Sequence, residues 1–95
     1  RLTYINKIMK EITQEKLDKY FKVTESALKK IKPSTNKAKD IYELAKCYYE
    51  DAKHFKEKDD LVNAFACINY AHAFLDIGAR LKLFKVKDNK LFMVD

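Results

Sequence analysis

Glycine and proline are almost missing, with Gly78 and Pro33 the single examples in 95 residues. The turns of a β-sandwich or barrel need many of both, so such folds are excluded and long helices joined by short loops are favoured. Cysteine is scarce too. Cys47 and Cys67 lie in helical patterns without C-x-x-C spacing, which rules out a disulfide-stapled secreted scaffold and predicts two free thiols in a reducing cytosol. No stretch reads as a secretory leader. The longest uncharged run, Leu61 to Leu75, is too short to span a bilayer and contains Asn and His. A soluble cytoplasmic protein with no membrane association is expected.

What is present suits a modest helical core. Apolar residues make up 47% of the chain and charged residues 36%, and this length suits one domain. The net charge is +6, and the whole excess lies in residues 1–58, which hold 15 basic and 9 acidic side chains against 5 of each in residues 59–95. A polyanion partner and a solvated surface both account for that imbalance.

From Leu17, the residues Tyr20, Phe21, Thr24, Ala27, Leu28 and Ile31 follow at intervals of three and four, one stripe of an amphipathic helix. Glu15 with Lys19, Asp18 with Lys22, and Glu25 with Lys29 support its other face. Thr13 is the expected N-cap and Pro33 the stop. A second stripe runs through Ala38, Ile41, Tyr42, Ala45, Tyr48, Tyr49, Ala52 and Phe55, in a helix beginning near Lys37. Asp59 or Asp60 is placed to cap a third helix from Leu61 to about Phe84. That helix is apolar on nearly every side, as the most buried member of a bundle would be. Residues 1–12 repeat helical spacing at Leu2, Ile5, Ile8, Met9 and Ile12, as an extension of the first helix or a separate helix for a partner. Val86 and Leu91–Val94 around Asp88-Asn89 read as a short extended arm.

Two stretches carry a family resemblance: YYEDAKHFKEKDDLVNAFACINYAHAFLDIGARLKLF (Tyr48 to Phe84) and ITQEKLDKYFKVTESALKKI (Ile12 to Ile31). Together they resemble an archaeal family named domain of unknown function 357, over roughly residues 12–94. The resemblance implies a small three-helix bundle of archaeal origin. It implies no activity and brings no catalytic residues. The hairpin also resembles one of tetratricopeptide type, but a single copy excludes a solenoid.

Two candidate sites stand out. In NYAHAFLDIGAR (Asn69 to Arg80), Asn69, Asp76 and Arg80 fall near one line with His72 beside it. His72–Asp76 and Asp76–Arg80 are i,i+4 neighbours, and an acid orienting a His is the kernel of an acid–base site. No nucleophile or oxyanion cradle accompanies them. An antiparallel hairpin turning near residue 59 would set Asn69 opposite Tyr49, Asp76 opposite Tyr42 and Tyr70 opposite Tyr48. The preferred reading is therefore a buried polar network that fixes helix register. A ribonuclease-type Arg-x4–6-His motif is absent, and neither His has a second ligand in H-E-x-x-H spacing, so no metal or cofactor is expected. The second site is KKIKPSTNKAK, in which Lys29, Lys30, Lys32, Lys37 and Lys39 form a patch without an acid. It could hold nucleic-acid phosphates, but Lys29, Lys30 and Lys32 also complement a helix C-terminus, and no aromatic is interleaved for base stacking.

The resulting expectation is an all-α antiparallel three-helix bundle, with a helical extension at 1–12, a core at 13–84 and an extended tail at 85–95. Its expected role is a non-enzymatic interaction module that binds a protein partner or itself. Nucleic-acid association through the lysine patch is the alternative.

Overall fold

The computed structural model describes residues 12–86, and these contain three helices and no strand. They are α1 (Gln14–Lys30), α2 (Asn36–Glu57) and α3 (Leu61–Arg80). Residues 1–11 and 87–95, with most of the expected extension and arm, lie outside the described residues.

Each helix begins at a side-chain cap. The Thr13 hydroxyl accepts from the Lys16 amide at 3.1 Å, and Thr35 does the same for Ala38 at 3.1 Å. Asp60 accepts from the Asn63 amide at 3.2 Å and from its side chain at 2.7 Å. Each cap satisfies an amide that the first helical turn leaves without a partner. α1 stops at Ile31, whose extended backbone and buried side chain precede Pro33.

The α2–α3 connection is only three residues long. Asp59 takes a left-handed conformation (φ 59°), with its amide on the Lys56 carbonyl at 3.0 Å and the Asp60 amide on Phe55 at 2.9 Å. This paired closure ends a helix by satisfying its last carbonyls. Asp60 thus closes α2 with its backbone and opens α3 with its side chain. The turn falls where the sequence puts it, and the Tyr48 and Tyr70 rings stack across the hairpin at 5.5 Å as its register requires.

α2 and α3 form the most extensive pairing; α1 lies mainly on α3 and touches α2 least. The fully buried alanines Ala38, Ala45 and Ala52 recur every seven residues along α2. Their small side chains let it approach α3 closely. Two apolar clusters fill the interior. One joins Leu28, Ile31, Leu75 and Phe84 at one end; the other joins Leu17, Phe21, Phe65 and Ile68 at the other.

The third helix ends four residues before its expected limit. Lys82 is left-handed (φ 61°); its amide bonds the Ala79 carbonyl at 3.1 Å, and the Leu83 amide bonds Gly78 at 2.9 Å. The chain then folds Phe84 back over α3. A methyl group at Gly78 would lie within 2.7 Å of three Phe84 ring carbons, so the lone glycine serves as a flat seat for a ring. Nor is α3 covered on all sides, because two neighbours leave its outward face open.

Candidate functional site

His72 joins two helices. Its Nδ1 lies 3.1 Å from the hydroxyl of Thr24 on α1, and its Nε2 lies 3.5 Å from an Asp76 carboxylate oxygen. In the tautomer that carries its proton on Nε2, the Thr24 hydroxyl donates to Nδ1 while Nε2–H points at Asp76. Thr24 is 1% exposed, whereas His72 and Asp76 are half-buried. The three border a groove of about 350 Å³ between α1 and α3, with Asn69, Lys19 and Tyr20 on its rim.

The expected tyrosine partners are elsewhere. The Tyr42 hydroxyl donates to the Leu28 carbonyl at 3.2 Å, and Tyr49 donates to Glu25 at 3.0 Å. Both rings sit on the flank of α2 that turns towards α1, a third element that opposing positions of a two-helix hairpin do not include. Asn69 and Arg80 are exposed. The stripe therefore divides: His72 meets Thr24 and Asp76, Asn69 edges the groove, and Arg80 stands in the last turn of α3, where positive charge suits the helix end.

The α1–α2 seam is polar. Asp18 and Lys56 form a salt bridge at 2.5 Å, and Lys56 also lies 4.7 Å from the centre of the Phe21 ring. The hydrogen bond from Lys56 holds the Asp18 carboxyl below its ordinary range. Lys29, at 3.0 Å, and then Tyr49 do the same for Glu25. Burial, followed by the Glu25 hydrogen bond, pushes Tyr49 up to about 12.

All five lysines of the basic patch, Lys29, Lys30, Lys32, Lys37 and Lys39, are exposed. They surround the α1–α2 connection, and Lys29 is paired with Glu25. Cys47 is exposed and Cys67 half-buried, both as free thiols, and burial raises Cys67. Among the described residues no group of three His, Cys, Asp or Glu side chains could hold a metal ion. No described helix is long and apolar enough to cross a membrane.

The outward face of α3 carries a feature of another kind. Val62 is 67% exposed, Tyr70 59%, Ile77 48% and Leu81 65%. Ala66 and Ala73 stand exposed between them. The six residues recur at intervals of three and four and form one seam about 28 Å long. From Val62 to Ile77 no charged side chain interrupts it. Leu44 of α2, 40% exposed, and the Tyr48–Phe74 stack at 5.6 Å border it on one side.

The family described as protein of unknown function (DUF357) matches residues 19–84. The chain belongs to that family. The match takes in the His72 groove, the lysine patch and the seam on α3. No curated protein and no solved structure matches the chain.

Thr24 and the α3 seam are what sequence reasoning missed. Thr24 is visible as the one polar residue in the apolar stripe of α1, but its partner lies 48 positions away. The seam was visible as excess apolar character on α3, without a sign of which side would go uncovered.

Proposed function

We propose that this member of the DUF357 family is a non-enzymatic protein-interaction module that receives an amphipathic helix on the outward face of α3. The observation that carries the reading is the exposed, uncharged seam from Val62 to Leu81. Large apolar side chains aligned along one helix are the shape into which the ridge of another helix packs. Contiguous exposed apolar surface of this kind marks association sites in soluble proteins.

The His72 groove supports the same reading from the other side. Both ring nitrogens already engage Thr24 and Asp76 within the protein, so the ring acts as a clasp between α1 and α3. The cytoplasm is the compartment we assign to the module, since unbridged Cys47 and Cys67 suit a reducing one.

A photoreactive residue at position 66, on the seam, against one at Lys46, exposed on α2, tests the module in cells. Adducts from position 66 alone are expected. Equal yields from both positions would contradict it.

A second reading, phosphate binding by Lys29, Lys30, Lys32, Lys37 and Lys39, is favoured by the exposure of all five. It requires gel shifts with nucleic acid that weaken steeply with salt. No shift at low salt removes it.

A further inference from the structure

We infer that the helix received on the seam is α3 of a second copy of this chain, docked antiparallel about a two-fold axis. The inference rests on the interaction reading above and names its partner. Along the seam, large and small residues are arranged so that an antiparallel copy is complementary. A two-fold axis crossing α3 midway between Tyr70 and Ala73 sets Tyr70 against Ala73 of the second copy. The same axis sets Ile77 against Ala66 and Leu81 against Val62.

Each bulky side chain thus meets a smaller one, the condition for two helices to approach closely without voids. A parallel pairing in register would set Tyr70 on Tyr70 and Ala66 on Ala66, alternating overlap with gaps. Isologous pairing also uses one surface twice, as closed two-fold dimers do.

Charge agrees with this geometry. Asp76 and Arg80 flank the seam on one side of α3, and the two copies of each would lie about 14 Å and about 25 Å apart along the axis, beyond a Debye length of about 8–10 Å.

Sedimentation equilibrium of the full chain between about 10 μM and 1 mM tests the inference. The mass should rise with concentration from 11.2 kDa towards twice that value. Ala66→Glu and Ile77→Lys each replace an exposed residue, so both variants should stay folded by circular dichroism. Each should weaken self-association at least about tenfold, because the pairing would bury an unpaired charge. Mixing these two variants should restore association, since the introduced carboxylate and ammonium face each other in this register. Mixing Ala66→Glu with Tyr70→Lys should not.

A chain that sediments as a monomer throughout overturns the inference. So does association that survives Ala66→Glu, or recovery that is equal in the two mixtures. A monomer whose position-66 adducts contain a different protein overturns the second copy and leaves the interaction reading standing. A monomer without seam adducts overturns both.

Discussion

Gly78→Ala sets two physical effects against each other at one atom. Alanine is the better helix former by about 0.8–1 kcal/mol in a helix interior, so propensity alone predicts a more stable protein. The added methyl, however, would lie within 2.7 Å of three carbons of the Phe84 ring. Phe84 is 4% exposed and belongs to the core cluster with Leu28, Ile31 and Leu75. Its backbone is tied by the Leu83 and Phe84 amides, which both reach the Gly78 carbonyl, so the ring cannot slide aside without opening the helix end. Displacing a buried phenylalanine forfeits about 1.5–3 kcal/mol. The net expectation is a loss of about 1–2 kcal/mol, and each kcal/mol lowers the melting temperature of a domain this size by about 4–8 °C.

A double-mutant cycle in urea isolates the cause. Phe84→Ala alone should cost about 3–5 kcal/mol. On that background Gly78→Ala should raise stability by about 0.5–1 kcal/mol, because only the propensity gain remains. A Gly78→Ala variant more stable than the wild type while Phe84 is present, or a Gly78→Ala loss that is as large after Phe84→Ala, would refute the seat.

The other predictions concern single groups. Lys82 closes α3 at φ 61°, where side chains other than Gly are strained, so Lys82→Gly should stabilise by about 1 kcal/mol in thermal melts; a loss would contradict the closure. Thr24→Val keeps the shape but strips His72 Nδ1 of its partner at 3.1 Å, and should cost about 1–2 kcal/mol, whereas Thr24→Ser should cost less. Equal losses in denaturant would remove the clasp. Asp18 and Glu25 are held below their ordinary values of 3.8 and 4.5, so their contribution is present above pH of about 4.5 and is lost as pH falls through the lowered folded values. Melts of Lys56→Gln against wild type should converge in acid. Tyr49 is raised from 10.0 to about 12, so its contribution is full below pH of about 10 and lost as pH climbs towards about 12. An absorbance titration should show a late phenol that Tyr49→Phe deletes.

Much of this fold was legible because its signals are local. The Thr13 cap, the Pro33 stop and the turn at Lys58–Asp60 follow from residues a few positions apart, and the Tyr48–Tyr70 stack follows from the turn. The end of α3 was not legible. A left-handed Lys82 and a ring seated on Gly78 arise from tertiary packing, while the apolar pattern alone runs on to Phe84. Counting across two helices pairs Tyr42 and Tyr49 with α3, yet α1 supplies an acceptor to each hydroxyl. Asn69, His72, Asp76 and Arg80 share a helix stripe, but His72 is the one that reaches Thr24 on α1, with Asp76 beside its other ring nitrogen, while Asn69 and Arg80 are exposed. The lysine patch is exposed as composition suggests, since nothing apolar in it asks for cover.

The claim that two copies of the chain pair through the outward face of α3 is tested most directly by mapping amide shifts as the chain is concentrated in nuclear magnetic resonance spectra. The account predicts shifts confined to Val62, Ala66, Tyr70, Ala73, Ile77, Leu81 and their immediate neighbours. An unchanged seam, or shifts gathered around Lys29–Lys39 or the His72 groove, would contradict it.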